Sequence, residues 1–267
     1  MSKAKQAQLA ELLAFGHELA DAAGLAILPH FRRRLVVDNK DTDGGYDPVT
    51  AADRAAERAV RKLVRARYPE HGFEGEEYGT EGEAAAWRWI VDPIDGTRSF
   101  VLGMPTWGTL IGLTQDGVPA LGMMDQPFTR ERFWSTGRGA VLRGPDGRER
   151  RLKTRPCPAI DQAMMMTTHP ELFTAGTENR GFLKVKAAVR ACRYGGDCYS
   201  YCLLAAGHVD VIGEAGLKPF DIAALIPIIE QAGGRVTTWD GGSPARGGRI
   251  AACGDARLHD TVLGLLG

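Results

Sequence analysis

Residues 87–100 read WRWIVDPIDGTRSF: an apolar run of strand-forming residues that stops at two carboxylates, a proline, a glycine and a threonine. An apolar run of this length, bounded by turn residues, predicts a buried strand, and Asp, Pro and Gly are the residues that tight turns prefer. Thr97 then opens a short helix or turn. Any fold for this chain must therefore carry a buried strand that delivers Asp92 and Asp95 to one end of a sheet. Acids at that place are turn chemistry, metal ligands or a phosphorylated nucleophile, and each needs different partners elsewhere.

The rest of the chain supplies helices and strands in mixed order. Leu9, Leu12, Leu13, Ala20, Ala23 and Ile27 recur at helical spacing, which predicts one long amphipathic helix over roughly the first 30 residues. VVDNKDTDGGYDPVT follows as a polar Gly- and Asp-rich loop, read as mobile. A second helix starts at Thr50 and ends at Tyr68-Pro69. HGFEGEEYGTEG reads as a short strand and an acidic loop, and GTLIGLTQDGVPALGMMDQP as a hairpin turning at Gln115-Asp116-Gly117. Short strands are expected at 131–135 and 140–142. The polar stretch 144–155 is the best boundary between two halves, 1–145 and 146–267. Beyond it the expected elements are strands near 164–167 and 191–194, a helix over 198–207, a strand over 209–212, a helix over 222–231, a strand over 235–238, and a last strand and helix. Such alternation implies an α+β architecture of layered sheets covered by helices.

With 267 residues, 33 Lys+Arg against 33 Asp+Glu, and 44% apolar residues, the chain reads as a globular protein with ample core. The balanced charge supports neither a nucleic-acid nor a membrane surface. The N-terminus has no long apolar stretch, so a cytoplasmic location is expected. Five cysteines form no CxxC, and six scattered histidines form no HxxxH, which predicts reduced, buried thiols and argues against histidine-centred metal or triad chemistry.

That leaves the acids. In phosphatases that form an aspartyl phosphate, DxDGT carries the nucleophile on its first Asp. Here the spacing is DxxDGT and the residue two before Asp95 is Pro93, which cannot be a nucleophile. Each remaining acid has an ordinary reading: Asp53 closes a capping box with Thr50, Glu76 and Glu77 sit in an acidic loop, and Asp197 and Asp221 precede apolar helices as N-caps. Together they read differently. Several carboxylates converging from separate loops, without His or Cys, make a donor set for a hard cation such as Mg²⁺, which completes its shell with water and substrate phosphate.

With DPVTAAD (47–53), GEE (75–77), DPIDGTRSF (92–100) and KPFDIAA (218–224) in this order, the chain resembles the inositol monophosphatase family over nearly its whole length. The resemblance implies a layered αβαβα fold of two packed halves and a Mg²⁺-dependent, often lithium-sensitive phosphomonoesterase with two or three metal ions per site, Mn²⁺ being an alternative cation. Carried over motif by motif, Glu76, Asp92 and the Ile94 carbonyl would hold a first metal. Asp92, Asp95 and Asp221 would hold a second, and Glu76 would assist a weaker third. Thr97 and Asp53 would orient the attacking water. The Gly96 and Thr97 amides would cradle the phosphate, and Lys40 would face it from a loop with a longer spacer (41–46) than the family's. A homodimer is the family's usual assembly.

Within the family, RSFVLGMPTWGTLIGL and YGGDCYSYCLLAAGHVDVIGEAGLKPFDIAALIPIIE look most like the histidinol-phosphate phosphatase branch. Asp197 stands where inositol phosphatases commonly carry a small residue, and Glu214 adds a second acid facing substrate. An ammonium and an imidazole would suit such acids, whereas an uncharged polyol has no use for them. The alternatives are an inositol-1-phosphatase, a 3′-nucleotide bisphosphatase, or a binding partner of the transcription machinery.

Overall fold

The structure is a computed structural model that describes residues 3–34, 37–40 and 48–267. The glycine-rich part of the expected mobile loop (41–47), with Asp47 of the first motif, lies outside the described residues.

Helix α1 (Lys3–Ile27) buries Leu9, Leu12, Phe15, Leu19, Ala23 and Ile27, the stripe that a period of 3.6 residues places on one face. After a short antiparallel pair, β1 (Val37–Asn39) and β2 (Pro48–Thr50), helix α2 (Ala51–Arg67) starts with a closed capping box. The Asp53 carboxylate accepts the Thr50 N–H at 2.9 Å and its hydroxyl at 2.5 Å. Strands β3 (Gly72–Gly75), β4 (Gly79–Glu81) and β5 (Trp87–Asp95) follow, then the short helix α3 (Thr97–Val101). Strands β6 (Gly108–Gln115), β7 (Val118–Gln126), β8 (Glu131–Ser135), β9 (Ala140–Arg143) and β10 (Glu149–Arg151) form a meander. The eight-stranded sheet runs β10-β9-β8-β7-β6-β5-β3-β4, antiparallel except where β3 meets β5.

The chain then builds a second sheet from β11 (Met164–Thr167), α4 (Thr177–Ala188), β12 (Ala191–Tyr194), α5 (Asp197–Ala205), β13 (Val211–Leu217), α6 (Pro219–Ile222), α7 (Leu225–Ala232), β14 (Arg235–Thr238), β15 (Gly248–Cys253) and α8 (Ala256–Leu266). Its five strands run β12-β11-β13-β15-β14. Strand alternation sorts the core into layers. Ile111, Leu113 and Met123 face α1 and α2, while Leu110 and Met124 on the same strands face α5 and α7. The other faces of α5 and α7 pack on Ile212, Val236 and Ile250 of the small sheet. Its far side is covered by Phe182 and Val185 of α4 and by Leu258 and Val262 of α8. The fold is an αβαβα stack.

Several elements differ from their sequence reading. The acidic loop after β3 is a hairpin, because the buried Glu57 of α2 accepts the Glu77 and Tyr78 N–H groups at 2.7 and 3.2 Å and fixes the turn. The helix expected over 222–231 is broken into α6 and α7; Pro227 has no N–H for the carbonyl one turn earlier. Helix α4, whose apolar face is short, was not read at all, and β13 runs beyond Ile212 to Leu217, carrying Glu214. Four of the five cysteines are buried and all are free, and Trp107 is fully buried in the core.

The middle layer leaves no space for a side chain on β7 at Gly122, where an added Cβ would lie 1.8 Å from the Ala224 carbonyl oxygen at the start of α7. Gly122→Ala is therefore expected to destabilise the protein by about 2–3 kcal/mol, the cost of an overpacked interior. Urea denaturation checks it, and a midpoint matching the wild type would contradict this packing.

Candidate active site

Strand β5 does not stop at Asp92. It continues to Asp95 through an irregularity in its pairing with β6, and Pro93, which has no N–H to give a ladder, sits in that irregularity. The turn chemistry foreseen for this segment is present. The Asp92 Oδ1 accepts the Ile94 N–H at 3.0 Å, and the Thr97 hydroxyl donates to the Ile94 carbonyl at 3.0 Å. Gly96 takes a left-handed backbone, φ +85°, as the residue before α3. The Asp92 and Asp95 side chains consequently emerge at the edge between the two sheets.

From the C-terminal elements, α6 adds Asp221, whose Oδ2 accepts the Lys218 N–H at 2.6 Å. Carboxylate oxygens of Asp92, Asp95 and Asp221 lie within 4.8 Å of one another. The N–H of Cys198, the second residue of α5, donates to Asp95 Oδ2 at 2.7 Å and ties the middle layer to β5. Asp197 starts α5 but does not cap it; its carboxylate accepts the Ser99 and Thr106 hydroxyls instead. Glu214 on β13 is buried, accepting the Thr168 N–H at 2.8 Å and the Tyr201 hydroxyl at 3.3 Å.

Glu76, in the β3–β4 turn, reaches the same place, and its negative charge bears on Asp92. The turn is held from beneath by Glu57, which bonds Arg61 at 2.6 Å, and Gly75 must lack a side chain because a Cβ would fall 2.3 Å from the Glu57 carboxyl. Lys40 places its ammonium on Glu76 Oε1 at 2.7 Å and Glu77 Oε1 at 2.9 Å.

These groups border a cavity of about 270 Å³. Glu76, Asp92, Ile94, Asp95, Gly96 and Thr97 line it from the first half of the chain, and Asp197, Glu214 and Asp221 from the second. Asp53 and Lys40, read from the sequence as site residues, stand behind this lining, Asp53 in the α2 cap and Lys40 on the two glutamates. Thr168, Tyr201 and Leu172 border the cavity without having been singled out in the sequence. Glu57 was missed too, although its place one turn after Asp53 and one turn before Arg61 puts all three on one helix face.

Like charges at this density leave their mark on proton affinity. Burial, reinforced by Glu76, Asp95 and Asp221, pushes the Asp92 carboxyl well above its ordinary value, and burial with Asp221 and Asp197 does the same to Asp95. Burial raises both Asp221 and Glu214 to about 7. One further oxygen, Oδ1 of Asp53, is buried without a hydrogen-bond partner. An all-oxygen set of acids that repel one another fits a hard divalent cation, whose charge would relieve the repulsion.

A cavity lined by three acids that could hold one metal ion is what a metal-dependent phosphatase needs. A family model for the inositol monophosphatase family matches residues 8–266, and the chain belongs to that family. It is 40% identical to the bifunctional phosphatase IMPL2, chloroplastic, of Arabidopsis thaliana, over 98% of this chain and 77% of that protein. It is 38% identical to a histidinol-phosphatase of Mycobacterium tuberculosis, covering 84% of this chain and 86% of that one. Among solved structures, an inositol monophosphatase from Zymomonas mobilis superposes with a TM-score of 0.83 at 39% identity, covering 94% of this chain and 95% of that one.

The raised carboxyls give a pH signature. Glu214 and Asp221 titrate at ordinary values of 4.5 and 3.8 when unfolded but near 7 in the folded, metal-free protein. Their stabilising contribution is complete below the unfolded values and is lost as pH rises through about 7. The melting temperature of protein stripped with EDTA should therefore fall between pH 5 and pH 8, and saturating Mg²⁺ should flatten that fall. A metal-free melting temperature that rises over this range would contradict the cluster's electrostatics.

Proposed function

We propose that this protein hydrolyses histidinol phosphate to histidinol and inorganic phosphate with Mg²⁺, by in-line attack of water on phosphorus. The observation that carries the substrate is the pair of acids, Asp197 and Glu214, that line the same cavity as Glu76 and Asp92. A buried carboxylate is costly unless a cation meets it. The organic end of histidinol phosphate offers an ammonium and an imidazole that protonates near neutrality. The similarity to a histidinol-phosphatase over most of both chains supports the same reading.

Glu76, Asp92, Asp95, Asp221 and the Ile94 carbonyl would hold the Mg²⁺ ions. When bound, these supply positive charge for the phosphate oxygens and lower the proton affinity of water. The chain's own groups do the rest. The Thr97 hydroxyl, anchored on the Ile94 carbonyl, and Asp53 orient the attacking water, and the Gly96 and Thr97 amides bind the phosphate as its charge develops. Asp197, bonded by Ser99, and Glu214, bonded by Tyr201, would meet the alcohol end of the ester. Lys40, which pairs with Glu76 and Glu77, would face the phosphate as the family resemblance implies. As in the family generally, the working unit would be a homodimer.

Phosphate release tests this reading. Histidinol phosphate should be hydrolysed with Mg²⁺ and not with EDTA, and Asp92→Asn should lose activity on the order of a thousandfold, the several kcal/mol a catalytic cation supplies. Asp197→Asn should raise KM for histidinol phosphate roughly tenfold, in keeping with one charge-assisted hydrogen bond, and raise it less for inositol phosphate. A wild type without activity on any small phosphomonoester would overturn the proposal. An equal effect of Asp197→Asn on both esters would remove Asp197 from substrate selection.

A further inference from the structure

Asp197 is held in an unusual way. Its backbone is left-handed, φ +43°, a conformation uncommon for a residue with a side chain and one that persists only where its surroundings enforce it. The enforcing contacts come from the other half of the chain. Ser99 Oγ donates to Asp197 Oδ2 at 2.5 Å, and Thr106 Oγ1 reaches the same oxygen at 3.3 Å. Ser99 lies in α3 and is buried, and Thr106 lies in the loop from α3 to β6. Gly96 completes the fit, since a Cβ there would lie 2.9 Å from the Asp197 Cβ and Cγ.

Among the described residues both hydroxyl donors end on Oδ2, while the side chain borders the cavity. Two neutral hydroxyls satisfy one carboxylate oxygen, and the nearby Arg98 guanidinium, which also borders the cavity, offsets part of its charge from a distance. Both hydroxyl contacts fall on the same oxygen, and neither hydroxyl donates to Oδ1. The same helix carries Thr97 at its first position, two residues before Ser99. One short element thus carries both a hydroxyl that borders the cavity and one that holds Asp197.

We infer that Ser99 and Thr106 are specificity-determining positioning residues: they clamp Oδ2 of Asp197 so that Oδ1 accepts a hydrogen bond from a cationic group on the organic part of the phosphate ester. This rests on the reading of Asp197 as a substrate-facing acid. The ligand class it selects is an amine- or imidazolium-bearing phosphomonoester. Ser99 contributes more than Thr106, because its bond is shorter and buried.

The test is steady-state kinetics with Mg²⁺ on histidinol phosphate and on inositol 1-phosphate, for wild type, Ser99→Ala, Ser99→Thr, Thr106→Val, Asp197→Asn and the Ser99→Ala/Asp197→Asn double variant, with melting temperatures to verify folding. Ser99→Ala should shift the ratio of the two KM values about fivefold toward the neutral ester, with a smaller change in kcat, and Thr106→Val should shift it in the same direction by less. Ser99→Thr, which keeps the hydroxyl, should restore most of the ratio. In the double variant the KM shift should equal that of Asp197→Asn alone. Proportional KM increases on both esters, or independent, multiplying effects of Ser99→Ala and Asp197→Asn, would overturn the clamp in an enzyme that prefers histidinol phosphate. A wild type that prefers the neutral ester would overturn the substrate reading itself, and the clamp's purpose with it.

Discussion

Asp92, Asp95 and Asp221 repel one another across less than 4.8 Å, in a wall where burial already disfavours their charges. Like charges at that separation interact by a few kcal/mol even with substantial screening. Nothing in the core gains from this arrangement, and each acid is fixed by a backbone amide: Ile94 for Asp92, Cys198 for Asp95, Lys218 for Asp221. The αβαβα stack can be understood from that constraint. Two of the acids stand at the end of a central strand of the large sheet and the third on a helix following a strand of the small sheet. The middle helices hold the sheets at the separation that brings them to one point.

The close approach of those layers explains where the chain is unforgiving. Gly112 and Gly122 face Ala223 and Ala224 between α6 and α7, and Gly75 makes way for Glu57. Glu57 in turn holds the turn that carries Glu76. A site built from several loops acquires its rigidity in this way, from groups behind the lining rather than from the ligands themselves. Lys40 shows the complementary behaviour: its ammonium gives Glu76 and Glu77 a positive partner.

Much of the fold was legible because its signals are local. The stripe on α1, the capping box at Thr50–Asp53 and the Asp116-Gly117 hairpin each depend on neighbours in sequence. The turn after β3 was not legible, since it follows from Glu57 meeting a distant backbone, whereas the break between α6 and α7 had its mark in Pro227. The site divides similarly. Acids placed after strands or before helices could be read as converging, and the structure does gather Glu76, Asp92, Asp95, Asp197, Glu214 and Asp221 on one cavity. What holds them could not be read: Ser99 and Thr106 look like ordinary polar residues until α5 brings Asp197 to them, 98 and 91 residues away in sequence. The N-cap reading of Asp197 failed for the same reason, because hydroxyls across the site outcompeted its own helix.

If the carboxylate cluster exists to hold a divalent cation, binding must displace the protons that repulsion and burial retain on it. Isothermal titration of the metal-free protein with Mg²⁺ near pH 7, repeated in buffers of different ionisation enthalpy, measures that release directly. The account predicts saturable binding with a net release of protons, and the loss of both in Asp92→Asn. Absence of Mg²⁺ binding by the folded wild type, or binding with no protons released, would contradict it.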